Sequence, residues 1–336
     1  MAFHSGFVCI LGRPNVGKST LLNALVGEKL AIISPKPQTT RNRILGIIEV
    51  PANDNKPGAQ VVLIDTPGVH KPDSSLGRKM MVEVREAMES CDLVLLMTDV
   101  TQKLESRDEF AMQMARDART PVFLLLNKID LLSQKDRLLP TIDQLRQLHD
   151  FREVIPLSAR KRQGLDVLLE AVIRNLPEGP RYFPEGQITD QPVRFMAGEI
   201  IREQVLQATR QELPYATAVV VEQFEEKKTL TKIAATLYCD REAQKRILIG
   251  KQGQMLKKIG SAARVQIEKM VGTKVFLELF VKVIPGWRDS KAFVEETDWR
   301  RQLEQITGVD AAAREENALD RDLASAAKAV DFDEKL

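Results

Sequence analysis

The residues with the clearest capacity for chemistry are Gly12-Arg13-Pro14-Asn15-Val16-Gly17-Lys18-Ser19, followed by Thr20. The spacing G-x-x-x-x-G-K-[ST] is that of a phosphate-binding P-loop. Two glycines let the backbone curl until successive N–H groups point inward at phosphate oxygens. The positive end of a following helix adds to that field. Lys18 can reach β- and γ-phosphates, and the Ser19 hydroxyl can ligate Mg²⁺.

Four further groups stand at suitable distances. In the loop Ser34-Pro35-Lys36-Pro37-Gln38-Thr39-Thr40-Arg41, prolines forbid helix and hydroxyls abound. One threonine there could supply a hydroxyl to Mg²⁺ when a γ-phosphate is present; Thr40 is the first choice and Thr39 the second. Asp65-Thr66-Pro67-Gly68 closes an apolar run, placing an acid where it could hold Mg²⁺ through water and the Gly68 N–H where it could sense a γ-phosphate. Lys18, Thr40 and Gly68 are thus the expected catalytic set. Asn127-Lys128-Ile129-Asp130 follows another apolar run. The Asp130 carboxylate can accept two hydrogen bonds from guanine N1 and N2, which adenine cannot offer. The Asn127 amide can address guanine O6/N7 or tie its loop to the P-loop, with the Lys128 stem over the base. Ser158-Ala159-Arg160 is placed to give guanine O6 the Ala159 N–H. Ligands GTP or GDP with Mg²⁺ follow, the metal held by Ser19, Thr40 and Asp65.

These groups require an ordered scaffold. The P-loop lies between an apolar run, Phe7–Leu11, and a helix beginning near Thr20. Strands are expected over 44–50, 61–64, 93–97 and 121–126, with helices over 76–90, 106–118 and 164–176. Alternating strands and helices make an α/β domain with a mostly parallel sheet covered on both faces. Residues 1–176 are assigned to it. Three prolines and two glycines within 176–186 break every periodic pattern, and 177–190 is read as a linker.

The second domain, 191–296, should run helix (193–209), strand (215–224), strand (230–239), a helical segment, Ile249-Gly250-Lys251-Gln252-Gly253, helix (261–270) and strand (275–283). G-x-x-G by itself is uninformative. Here it lies within 241–274, which holds nine basic and two acidic residues. Among the basic ones are Lys257 and Lys258. A glycine loop between helices lets a single-stranded nucleic-acid backbone approach closely, as in KH modules, and this element order is the type II arrangement. The tail 297–336, with ten acidic and six basic residues, reads as a mobile or partly helical acidic extension.

Composition sets outer limits. With 336 residues, 43% apolar and 29% charged, the chain can build two cores. A net charge of +2 means that any attraction to nucleic acid must be local. Cys9, Cys91 and Cys239 are far apart and suit buried thiols in a reducing compartment. No export signal and no membrane-spanning run is expected.

The order P-loop GTPase, Pro-rich linker, type II KH domain resembles the bacterial Era GTPases over about residues 5–295. Gln38-Thr39-Thr40-Arg41, Asp65-Thr66-Pro67-Gly68-Val69, Ile249 to Gly253 and Lys282-Val283-Ile284-Pro285-Gly286-Trp287 all look like that family. The resemblance implies a cytoplasmic ribosome-assembly GTPase, acting as a monomer on the 3′ end of 16S ribosomal RNA and the 30S subunit, with peripheral inner-membrane contact. Val69 stands where Ras-like enzymes carry a water-orienting glutamine, so slow intrinsic hydrolysis is expected. Asn15 resembles an asparagine that coordinates K⁺ in related GTPases. Two other readings stand beside a GTP-driven RNA switch: an RNA-binding module with a structural nucleotide site, and a membrane-linked signalling GTPase.

Overall fold

A computed structural model describes residues 2–34, 36, 38–52, 57–103, 106–133, 138–209, 213, 216–298 and 300. Position 215 of the expected strand and nearly all of the acidic extension lie outside the described residues. The described residues up to 286 form one compact unit and those from 287 onward belong to a second.

In the first unit, β1 (His4–Leu11), β2 (Ile44–Val50), β3 (Ala59–Asp65), β4 (Leu93–Asp99), β5 (Val122–Asn127) and β6 (Glu153–Leu157) form a sheet of order β2-β3-β1-β4-β5-β6. Every neighbouring pair is parallel except β2–β3. Strands covered on both faces read as continuous apolar runs, and alternate residues go to opposite faces. Val8 and Ile10, Leu93 and Leu95, and Phe123 and Leu125 join α1 (Lys18–Val26) and α5 (Leu165–Asn175) on one side. Cys9 and Leu11, Val94 and Leu96, and Leu124 and Leu126 join α2 (Ser75–Glu89), α3 (Ser106–Asp117) and α4 (Leu138–Arg146) on the other. The connections switch faces at β1, and the carboxyl ends of β1, β3, β4, β5 and β6 open at one edge. That edge is where a doubly wound sheet binds ligands.

Helix α4 was not expected from the sequence. Pro140 reads as a breaker, yet it sits in the first helical turn, where a missing N–H costs nothing. The stretch 177–190 also differs from a free linker. The fully buried Gln60 amide accepts from the Tyr182 and Phe183 N–H groups (2.8 and 3.0 Å) and donates to the Phe183 carbonyl (2.9 Å). Ile47 N–H donates to the Ile188 carbonyl at 2.8 Å, and the Thr189 hydroxyl to the Leu45 carbonyl at 2.6 Å. The last two bonds occupy polar groups of β2, an edge strand of the sheet, which would otherwise be open to pairing.

The chain then continues through α6 (Val193–Ala208), β7 (Ala218–Glu226), β8 (Leu230–Cys239), α7 (Glu242–Ile249), α8 (Gln254–Val271) and β9 (Lys274–Val283). The three strands lie in order β7-β8-β9, the first pair antiparallel and the second parallel. Ala197, Ile201 and Val205 of α6 share a core with Ile259, Ala263 and Ile267 of α8 and Ile233, Ala235 and Leu237 of β8. The i, i+4, i+8 spacing puts one face of each helix on the sheet and leaves the basic residues of α8 outside. In the second unit, Trp287 meets Phe293 edge-on at 6.0 Å, and Ser290 caps α9 (Lys291–Glu296) by accepting from Phe293 N–H.

Candidate nucleotide site and nucleic-acid surface

At the carboxyl edge of the large sheet lies a cavity of about 710 Å³, within the range of small-ligand sites. Pro14, Asn15, Gly17, Lys18, Ser19 and Thr20 form its floor, with Gln38, Thr39, Thr40 and Gly68 at one end. Asn127, Lys128, Asp130, Ser158, Ala159 and Arg160 form the other end. Gly17 has φ 112°, and a Cβ there would stand 2.3 Å from the Asn127 amide nitrogen. Gly68 is equally constrained by space, since a Cβ would lie 2.6 Å from Pro14 Cγ. Val69 N–H donates to the Gly12 carbonyl at 3.0 Å, fastening this segment to the P-loop.

Burial sets the electrostatics. Lys18 donates from Nζ to the carbonyls of Gly12 (3.1 Å) and Arg13 (3.2 Å). Loss of solvent lowers its pKa to about 8, opposed by Asp65. Loss of solvent likewise raises Asp65 to about 6, opposed by Lys18 and by the hydroxyls of Ser19 and Thr40. Ser19 Oγ donates to Asp65 Oδ2 at 2.6 Å and lies 2.8 Å from Thr40 Oγ1, which is itself 3.4 Å from Asp65 Oδ2. Thr39 instead donates to the Lys36 carbonyl at 2.6 Å, so the loop brings Thr40 and not Thr39 into this group.

At the opposite end, both polar atoms of the Asn127 amide are engaged. Nδ2 donates to the Val16 carbonyl at 2.6 Å, and Oδ1 accepts from Ala159 N–H at 3.0 Å. Of the two sequence readings, the geometry supports Asn127 as a tie between loops. Lys128, at φ 71°, donates to the Asn15 carbonyl (2.9 Å) and to Asp99 Oδ2 (2.6 Å). Burial works against a charge on Asp99, but Lys128 and Thr101 outweigh it and hold its pKa below the ordinary carboxylate value.

The glycine loop of the small sheet has a different character. Gln244 Oε1 accepts from the N–H groups of Asp240 and Arg241, starting α7. Gly250 (φ 73°) ends that helix, Gln252 has φ 51°, and Gly253 (φ 77°) precedes α8. Around a Cβ placed on Gly253 there is nothing within 4 Å. Its backbone conformation, and not crowding, favours glycine there. Lys251, Gln252, Lys257 and Lys258 are exposed, while Ile249 is half-buried at the end of α7.

A family model described as 50S ribosome-binding GTPase matches residues 7–128, and one described as KH domain matches 212–288. The GTPase Era of Geobacter metallireducens is 50% identical over 296 residues, covering 88% of this chain and 97% of the relative. The GTPase Era of Ruminiclostridium cellulolyticum is 49% identical over 291 residues, covering 86% and 95% respectively. The chain belongs to the Era family of GTPases. Two solved Era structures, each 40% identical, superpose with TM-scores of 0.84 and 0.81, each covering 88% of this chain and 99% of the other. The first is Era in complex with MgGDPNP and nucleotides 1506–1542 of 16S ribosomal RNA; the second is an Aquifex aeolicus Era variant bound to GDP and aluminium fluoride.

The Era cavity fits Mg²⁺ on its own chemistry. Asp65 Oδ1 is buried without a hydrogen-bond partner, beside the hydroxyls of Ser19 and Thr40. Oxygen donors of this kind suit a hard cation. The Val69 side chain is fully buried among Met81 and Val84, so it contributes nothing to water placement. Not every P-loop and Asp65–Gly68 residue faces the cavity. Val16 is fully buried in the core, and the Thr66 hydroxyl donates back to the Ile10 carbonyl at 2.6 Å. Gly12, Arg13, Pro67 and the fully buried Asp65 likewise do not line the cavity. Sequence reasoning missed Gln102, which lines the cavity and accepts from Arg13 Nη2 at 2.6 Å, and Asp99. Asp99 had a signal: like Asp65, it is an acid ending a buried strand at the same sheet edge.

Proposed function

We propose that this Era GTPase is a GTP-driven switch that binds the 3′ end of 16S ribosomal RNA and acts in assembly of the 30S subunit. Residues 1–176 hold the nucleotide and 191–296 the RNA. The observation that carries this reading is the solved Era with TM-score 0.84 that holds MgGDPNP and nucleotides 1506–1542 together. This chain has a nucleotide cavity and, in the half matched by the KH-domain model, a Gly250–Gly253 loop whose Lys251 and Gln252 are exposed.

In this reading Lys18 neutralises β- and γ-phosphate charge, Ser19, Thr40 and Asp65 hold Mg²⁺, and the Gly68 N–H meets the γ-phosphate. Asp130 selects guanine, and the Ala159 N–H, which donates to Asn127 Oδ1, holds the Ser158–Arg160 loop beside it. Ile249, Gly250, Lys251, Gln252 and Gly253 meet the RNA backbone, with Lys257 and Lys258 supplying charge. Asn15 places K⁺ at the phosphates. The reading implies a protein that acts in the cytoplasm, where its RNA is. Among the described residues no helix is long and apolar enough to cross a membrane.

The test is a titration of an RNA with the 3′-terminal sequence of 16S ribosomal RNA against the protein loaded with a GTP analogue or with GDP. Tight binding in one form only is expected. Equal or absent binding in both forms would overturn a nucleotide-gated switch.

A further inference from the structure

The loop that carries Thr40 is fastened to α6, a helix of the small-sheet half. Lys29 pairs with Glu203 at 2.5 Å, and Ile33 N–H donates to Glu203 Oε1 at 3.2 Å. Lys36 Nζ donates to the carbonyls of Leu206 and Thr209. Closest to Thr40, Arg202 Nη2 donates to the Thr39 carbonyl, while Arg41 Nη1 donates to the Thr217 carbonyl at 2.8 Å. On one side of Thr40 the Thr39–Thr40 peptide, and on the other the Arg41 side chain, are therefore held by residues near or within the RNA-binding half.

Arg202 and Glu203 are only 3% and 2% exposed. A buried charge persists where it is paired and hydrogen-bonded. Arg202 meets both conditions through Nε and Nη2: Glu199 accepts from Nε at 2.7 Å and from Nη2 at 2.6 Å, and the Thr39 carbonyl takes a further bond from Nη2, while Nη1 is buried without a hydrogen-bond partner. The guanidinium is thus anchored on its own helix before it reaches across, which makes it a fixed support for the switch loop. Thr40 Oγ1, one peptide away, stands 2.8 Å from Ser19 Oγ.

We infer that Arg202 is a positioning residue for GTP hydrolysis, holding the Thr39 carbonyl so that Thr40 Oγ1 stays with Ser19 and Asp65. The helix that supports the RNA-binding sheet is then part of the GTPase site. The Pro-rich strap at 177–190 need not carry the nucleotide signal, because α6 touches the switch loop directly. This rests on the reading of Thr40 as a hydroxyl that joins Mg²⁺ when the γ-phosphate is present.

The test uses the full chain with Arg202→Met, Arg202→Lys and the double variant Arg202→Met/Glu199→Gln, which removes the charge together with its partner. Single-turnover hydrolysis, its Mg²⁺ dependence, the affinities for GDP and for a GTP analogue, and hydrogen exchange of amides 38–43 with the analogue bound are measured on each. Misplacing a reacting group by a fraction of an ångström costs about tenfold in rate. Arg202→Met and the double variant should lose about that much, need more Mg²⁺ for half-maximal rate, and exchange faster at 38–43. GDP affinity should be retained, and Arg202→Lys should recover part of the rate. If a folded double variant kept the wild-type rate, Mg²⁺ profile and exchange, the assignment would be overturned. It would also be overturned by an equal loss of GDP and GTP-analogue affinity, which marks a general structural role. A wild-type chain that did not hydrolyse GTP would instead overturn the underlying reading, while the exchange data still report on Arg202.

Discussion

The nucleotide cavity and the Gly250–Gly253 loop are both built from glycine, lysine and a helix start, yet they have opposite relations to solvent. Lys18 is buried and its pKa falls to about 8, whereas Lys251, Lys257 and Lys258 are exposed. In the cavity, Gly17 and Gly68 are fixed by the atoms that crowd them. In the loop, Gly253 has open space around it, and only its backbone angle calls for glycine. A desolvated site recognises its ligand by the cost of leaving polar groups unpaired. A solvated one attracts by charge and close backbone approach, and is sensitive to salt.

That contrast can be tested by unequal losses. The largest is expected at Lys18→Ala, which leaves Asp65 buried without its nearest positive charge. Hydrolysis should fall by about 10³-fold, as when one preorganised donor is lost from an active site; a single-turnover assay measures it, and a loss below tenfold would mean that the cavity is wetter than its burial implies. Asp130→Asn comes next. Losing a charged pair of acceptors should cut the preference for GTP over xanthosine triphosphate by about 10²-fold, read by competition binding, and unchanged selectivity would break the base assignment.

On the exposed side the effects should be smaller and screened. Lys251→Asp with Gln252→Asp should weaken binding of the 16S 3′-end RNA by about 30-fold at 0.1 M salt and flatten the plot of log affinity against log salt. A salt slope identical to wild type would show that the loop does not face phosphate. Smallest is the exchange of K⁺ for Na⁺, which should slow hydrolysis several-fold through Asn15. An unchanged rate would remove K⁺ from the site.

Much of this was legible because short-range chemistry demands particular residues at particular spacings. The P-loop, Asp65–Gly68 and Asn127–Asp130 each end an apolar run, and a strand that ends in a functional turn leaves both marks in one stretch. Where two outcomes depended on a partner distant in sequence, spacing was silent. Thr39 and Thr40 are adjacent hydroxyls, and only the bond from Thr39 to the Lys36 carbonyl separates their roles. Asn127 could face a base or the P-loop until the Val16 carbonyl and Ala159 N–H occupied it. Helix α4 stayed hidden because Pro140 signals the end of a helix or its first turn with equal force.

By itself, then, the sequence determined the two fold classes, the nucleotide chemistry and the basic glycine loop, since local spacing and periodicity encode those. The strapping of 177–190 onto Gln60, the part of Asp99 and the grip of Arg202 on the Thr39 carbonyl were decided by tertiary structure alone. Each is a bond between residues about 30 to 160 positions apart, whose formation depends on how buried polar groups find partners once the chain has closed on itself.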